Sequence, residues 1–316
     1  MKQKHFMHSL RKWNRLLLIA AAVCITACGC TNHEKKAAYQ ISAVKGTRDS
    51  KAVCLIPDAS AKSVFSDATY SLDYSNASEG YIMAKYTGKS QRAKLQLTLP
   101  DGTVYTYNLN QNYEAFPLTS DSGTYCFGIY ENISGNEYST LAFEKTDVQI
   151  VNRYGAYLYP NQYVSFTKSS QTIILGEKLA YSANSDLEVV SNVYNYIIDT
   201  VSYDYQEAKT IKSGYLPNID ATLDSKKGIC LDYAAVMASI LRSQQIPTHL
   251  EVGYAGTAYH AWISTYIKDI GWVNGIIKFD GKNWELMDPT FGSTTGAEKL
   301  KKYIGDGSNY KVKYIY

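Results

Sequence analysis

Three short stretches in the C-terminal half of the chain each set one reactive side chain at a junction between elements. Gly228-Ile229-Cys230-Leu231-Asp232-Tyr233-Ala234 puts Cys230 at the opening of a helix. Tyr259-His260-Ala261-Trp262 puts His260 at the opening of a strand, and Trp284-Glu285-Leu286-Met287-Asp288-Pro289-Thr290-Phe291 puts Asp288 at the close of one. A thiol, an imidazole and a carboxylate can together carry acyl transfer through sulfur. A free thiol has a pKa of about 8.5, and a helix N-terminus with a nearby imidazolium can lower it by several units. In this scheme Cys230 is the nucleophile, and its own N–H, in the first helical turn, is free to point at a developing oxyanion. His260 is the base and later the acid, and Asp288 fixes its tautomer and orientation. Gly228 is expected to let the backbone turn tightly and the substrate approach. His5 and His8 fall in the basic N-terminal segment, His33 in a polar stretch and His249 at an ordinary strand start, which leaves His260 as the base. Residue types alone also fit a bland account, with Cys230 a buried small hydrophobe and Asp288-Pro289 a common turn.

The elements that must hold these groups are legible on either side of residue 168. Ser185-Asp186-Leu187-Glu188 has the form of a capping box. Leu187, Val190, Val193, Tyr194, Ile197, Ile198 and Val201 then recur at helical spacing. A polar loop is expected from Ser202 to Lys227. A second helix follows from Cys230 with Ala234, Met237, Ile240 and Leu241 inward, ending before Pro247. Strands are expected over His249–Tyr254, His260–Ile267 and Asn283–Met287, which makes residues 169–316 an α+β domain. Gly253 and Gly256, in the approach to His260, are expected to shape access to the site.

Residues 53–168 read as strands. Ala93–Leu99 and Val104–Leu109 alternate around Asp101-Gly102, a strong hairpin signal. An antiparallel β-sandwich is inferred. Asp121-Ser122-Gly123-Thr124-Tyr125-Cys126 is like an immunoglobulin tyrosine corner, but Cys126 follows Tyr125 directly instead of two positions on. The expectation is therefore an immunoglobulin-like sandwich, not a true immunoglobulin domain. The 29 tyrosines suit half-exposed strand faces.

The chain has 316 residues, 45% apolar and 19% charged, a globular composition with room for two domains. Residues 1–27 hold five basic residues and no acid, so the rest carries 27 basic against 29 acidic, or −2. A basic nucleic-acid binder is excluded on that ground. The apolar run Leu16–Ala27 is twelve residues, the length of a signal-peptide core and too short to span a bilayer. Ile25-Thr26-Ala27-Cys28 resembles a bacterial lipobox, with Cys28 as the lipidated residue. The expected order is thus a signal peptide (1–27), a flexible tether (28–52), the sandwich (53–168) and the α+β domain (169–316). The protein would sit on the bacterial cell surface, anchored by lipid to the outer face of the membrane. Cys54 and Cys126 could pair in that compartment. No zinc-ligand spacing, HExxH, P-loop or GxGxxG occurs, and no metal or cofactor is expected.

Taken together, the three reactive stretches resemble the core of the transglutaminase-like superfamily. They match its G-x-C-x-[DE]-[YF]-A helix start, its H-A-W strand and its W-x-x-x-D-P-T strand end, across roughly Leu187–Phe291 with Val201-Ser202-Tyr203-Asp204-Tyr205 upstream. The resemblance implies a papain-like fold and a Cys230–His260–Asp288 triad. Tyr203 and Trp262 become candidate groove residues, with core packing the other reading of each. Animal cross-linking members use a Trp upstream of the nucleophile for the oxyanion. This chain has none between residue 28 and Trp262, so the second oxyanion donor is open and calcium-dependent cross-linking is disfavoured. The expected activity is cysteine-dependent attack on a peptide or carboxamide bond, with hydrolysis slightly ahead of transamidation and cell-wall peptide among the substrates. The rival expectation is a non-catalytic surface binding or adhesion module that uses the sandwich.

Overall fold

The computed structural model describes residues 39–274, 276–279, 284–287 and 310–316. The signal segment, Cys28 and Asp288 lie outside them.

The N-terminal half is built of strands because its apolar residues alternate. They are β1 (Val64–Ser66), β2 (Tyr70–Asp73), β3 (Tyr81–Tyr86), β4 (Ala93–Thr98), β5 (Val104–Leu109), β6 (Glu114–Pro117), β7 (Gly123–Ser134) and β8 (Glu137–Val148). They form two antiparallel four-stranded sheets, ordered β1-β2-β3-β6 and β5-β4-β7-β8. Ala93, Leu95 and Leu97 of β4 and Tyr105, Tyr107 and Leu109 of β5 point inward, as a period of two requires. The Asp101-Gly102 turn joins them, with Gly102 at φ 87° and its N–H on Leu99 O at 2.9 Å. Only glycine adopts that φ without strain. The fully buried Tyr125 donates its hydroxyl to Ser120 O (2.9 Å) and Asp121 O (3.0 Å), so the corner hydrogen bond forms although Cys126 follows directly. Cys54 and Cys126 are both free thiols.

The C-terminal half runs α1 (Gln171–Ala180), α2 (Asp186–Thr200), β9 (Ser202–Tyr203), α3 (Tyr205–Thr210), α4 (Ile219–Ser225), β10 (Lys227–Gly228) and α5 (Cys230–Ser243). β11 (Thr248–Ala255), β12 (Ala258–Ile267), β13 (Gly271–Asn274), β14 (Ile276–Phe279), β15 (Trp284–Met287) and β16 (Tyr310–Ile315) follow. β13, β12, β11 and β16 form one antiparallel sheet in that order, and β14 pairs with β15. α5 is buried from Asp232 to Ser243. A helix apolar on all sides belongs in a core, and α5 lies between α1, α2 and α4 on one side and β11–β12 on the other.

Two expectations need correction. The loop from Ser202 to Lys227 holds two short helices, α3 and α4. Asp204 caps the first by accepting from Gln206 N and Glu207 N, and Asn218 caps the second by accepting from Ala221 N. Caps, not apolar periodicity, start these helices, which is why the stretch reads as loop. The expected tether is also docked from Gly46 onward. Gly46 N donates to Tyr181 O at 2.8 Å, and Arg48 bonds Asp186 Oδ1 (2.6 Å) and Gln244 O (2.7 Å). A Cβ at Gly46 would stand 2.1 Å from Ala183 O, so only glycine allows this approach. Ala38–Tyr316 form one compact unit, and a single buried cluster runs from Leu97 and Tyr107 to Val236 and Leu250 across residue 168.

Candidate active site

The position of Cys230 follows from how α5 begins. Asp232, in the first turn and 1% exposed, reaches back with Oδ2 to accept from Ile229 N at 2.8 Å. Its Oδ1 accepts from the Tyr215 hydroxyl at 2.7 Å. Burial pushes the Asp232 carboxyl above its ordinary value, and these two donors oppose that shift. Asp232 is thus the cap of the helix that opens at Cys230. Parallel pairing of β9 with β10 sets Tyr203 opposite Gly228, with Asp204 N on Gly228 O at 2.9 Å. One turn further along α5, Tyr233 OH donates to Val201 O at 2.7 Å.

Cys230, half-buried, and His260, 6% exposed, line the same cleft of about 670 Å³. His260 stands on β12 opposite Gly253 of β11. The arrangement brings a thiol at a helix N-terminus and an imidazole on a sheet to one solvent-connected space, as nucleophile–base chemistry needs. Tyr203 lines the cleft too, its ring 5.0 Å from Tyr205 and 6.5 Å from Tyr233. Burial, and then the neighbouring Cys230 sulfur, push its hydroxyl up to about 12, so it stays an O–H donor.

The other sequence candidates sit behind this surface. Trp262 is buried beside His260, the two rings 25° from parallel with centroids 6.2 Å apart, and Tyr310 meets its ring edge-on at 4.9 Å. Gly228 is buried outside the cleft lining. A Cβ there would lie 2.8 Å from Asp232 Cβ and 3.2 Å from Thr222 Cγ2, so the glycine makes room for the helix cap, not for substrate. Gly253 likewise admits a strand: a Cβ there would meet Lys311 O of β16 at 2.0 Å. Among the described residues no three His, Cys, Asp or Glu side chains gather as a metal site would require.

Sequence reading missed two parts of the cleft. One is a set of tyrosines, Tyr163, Tyr215, Tyr259, Tyr314 and Tyr316, whose only sequence signal is the abundance of that residue. The other is β5 of the N-terminal half, which contributes Val104 and Thr106.

Residues 175–275 match the family model of the transglutaminase-like superfamily, a stretch that holds both Cys230 and His260. That stretch is similar to the core of the transglutaminase-like superfamily. UPF0252 protein MJ1282 of Methanocaldococcus jannaschii is 30% identical over 90 residues, which are 25% of this chain and 26% of that protein. The chain thus matches about a quarter of the length of that curated relative. Among solved structures, a proposed cysteine protease from Cytophaga hutchinsonii is similar over 72% of this chain and 68% of its own, at 14% identity and a TM-score of 0.32. Red sea bream transglutaminase is similar over 68% of this chain and 48% of its own, at 13% identity and a TM-score of 0.27.

Proposed function

We propose that this chain is a cysteine acyl-transfer enzyme that attacks peptide or carboxamide bonds and releases the acyl group mainly to water. The observation that supports this reading most is the shared cleft: Cys230 at the first position of a buried helix and His260 on the adjoining sheet. The Cys230 thiolate forms a bond to the carbonyl carbon, and the oxyanion lies near the Cys230 N–H, which has no intrahelical acceptor. The C–N bond breaks as His260 gives its proton to the leaving amine. Water then adds to the thioester while His260 takes its proton. The C–S bond breaks, the acid leaves, and the thiolate is restored. Asp288, the third group that the family resemblance implies, would orient His260. The reading extends to an exported protein, lipid-anchored through Cys28 on a bacterial cell surface, with a sandwich-like N-terminal half and peptide, protein or cell-wall peptide as substrate.

Incubating the protein with a peptide library, with and without a primary amine, and reading intact masses tests the reaction. Cleavage or deamidation is the expected result. Amine-dependent adducts would assign transamidation instead. No product, with slow alkylation of Cys230, would leave a binding module.

A further inference from the structure

β5 stands at the end of its sheet and faces the cleft. Its pairing with β4 fixes which of its backbone groups are used. Leu99 N donates to Thr103 O at 2.9 Å, and the register continues without a shift through Leu97↔Tyr105 and Leu95↔Tyr107. In an antiparallel pair, bonded and non-bonded positions alternate. Tyr105, Tyr107 and Leu109 therefore direct N–H and C=O at β4, while Val104, Thr106 and Asn108 direct theirs outward. Two contacts bear this out independently. Asn108 O accepts from Gln162 Nε2 at 2.8 Å, and Asn132 N donates to Arg92 O at 2.9 Å, so the alternate residues of β4 serve β7.

Among the described residues no strand pairs with the outer edge of β5, and no hydrogen bond reaches the backbone of Val104 or Thr106. Sheets commonly guard such edges with charges, proline or bulges. The opposite edge of this sheet is guarded: β8 turns Lys145 and Asp147 outward, and its pairing with β7 is bulged. β5 carries none of these devices between Val104 and Asn108. Its unguarded edge is also the one whose Val104 and Thr106 line the cleft with Cys230 and His260.

We propose that the outer edge of β5 is a strand-addition site that binds the main chain of an extended peptide substrate and leads it to Cys230. Continuity with the catalytic cleft identifies the occupant. A nucleophile that attacks an amide carbonyl needs an extended backbone beside it, and main-chain bonding at a sheet edge supplies this without fixing side-chain identity. The edge from Val104 to Asn108 spans about 14 Å, enough for four or five substrate residues. The proposal rests on the peptide-directed reading above.

The test uses unstructured peptides from carboxymethylated casein as probe. Bound to Cys230→Ala protein, they should slow amide hydrogen exchange at Val104, Thr106 and Asn108, while Tyr105 and Tyr107, already bonded to β4, stay unchanged. Thr106→Pro removes one outward N–H and should raise KM for the probe about five- to tenfold, the loss of one main-chain bond and its alignment. Lys145→Pro, which removes an outward N–H at the far edge, should leave KM unchanged. Iodoacetamide, which needs no strand pairing, should alkylate Cys230 equally fast in all folded forms. Turnover of the probe with no protection at the three amides, or with KM unaltered in folded Thr106→Pro, would overturn the edge proposal and leave the enzyme reading intact. No turnover together with slow alkylation of wild-type Cys230 would overturn both. If Thr106→Pro does not fold, the exchange pattern alone decides.

Discussion

The Tyr215 hydroxyl donates to Asp232 Oδ1 at 2.7 Å, which ties a cleft residue to the carboxylate that caps the helix opening at Cys230. Tyr215→Phe would leave that oxygen buried without its donor, at a cost of about 1–3 kcal/mol, or roughly 2–4 °C in Tm for each kcal/mol. The deficit should depend on pH. Burial raises the native pKa of Asp232 above its unfolded value, so its contribution favours folding below about 4 and is lost as pH rises through the raised value. Removing Tyr215 raises that pKa further. The variant should therefore trail the wild type more at pH 7 than at pH 4 in thermal melts, and an equal gap at both would show that Asp232 does not feel the hydroxyl.

Gly228 answers to the same carboxylate. An added Cβ would crowd Asp232 Cβ at 2.8 Å and Thr222 Cγ2 at 3.2 Å, neither on a flexible tip. Gly228→Ala should cost about 1–3 kcal/mol as an overpacked buried position. It should also slow turnover at least tenfold, because a shifted Asp232 moves the first turn that carries Cys230. Wild-type kcat/KM in a folded Gly228→Ala protein would separate the cap from the chemistry.

The difference between what could and could not be read in the sequence has a physical source. The β4–β5 hairpin, the α2 stripe and the start of α5 at Cys230 were legible, since each depends on local periodicity or on turn and cap chemistry. Ser185 does accept from Glu188 N, although Glu188 returns its bond to Asn184 N, one residue early. Cys230 and His260 were legible as types at junctions. What lay hidden depends on contacts distant in sequence. Gly228 reads as an opening for substrate until Asp232 is seen packed against it, and Arg48 reads as tether until Asp186 and Gln244 are seen to hold it. The entry of β5 into the cleft is a matter of topology, to which no pattern within residues 104–109 points.

Thiol reactivity separates catalyst from scaffold. Cys54 is half-buried, and burial pushes its thiol up, with Lys168 opposing the shift, so it should alkylate slowly at pH 7. Cys230 should react faster than Cys54 and Cys126 and lose that advantage in His260→Ala, as mapped by peptide masses after a timed iodoacetamide pulse. Cys230→Ala should abolish turnover with little change in Tm. Asp288→Asn should keep the fold and lose orders of magnitude in rate, the pattern expected when a base loses its orienting carboxylate. Equal labelling rates for all three thiols would remove the nucleophile assignment.

His249, which does not line the cleft, should set an acid limit on stability instead of on rate. Its ring lies between Tyr157 and Trp272, at centroid distances of 4.0 and 3.6 Å, and its Nδ1 is 3.1 Å from Glu251 Oε1. Burial lowers its pKa, and Glu251 only partly restores it, while the buried Arg242 adds to the lowering. The native state therefore binds a proton less readily than the unfolded chain does. The stability this group contributes is complete above its ordinary value of 6.5 and is lost as pH falls below it, with a limiting slope of about 1.4 kcal/mol per pH unit. His249→Phe keeps the stacked ring and removes the titration, so its Tm should fall less than that of the wild type between pH 7 and pH 5. Its kcat profile should follow the wild type, because the cleft lining does not include His249. Parallel Tm curves for the two proteins would mean that the imidazole has the same pKa in the folded and the unfolded chain, with Glu251 fully offsetting the effect of burial.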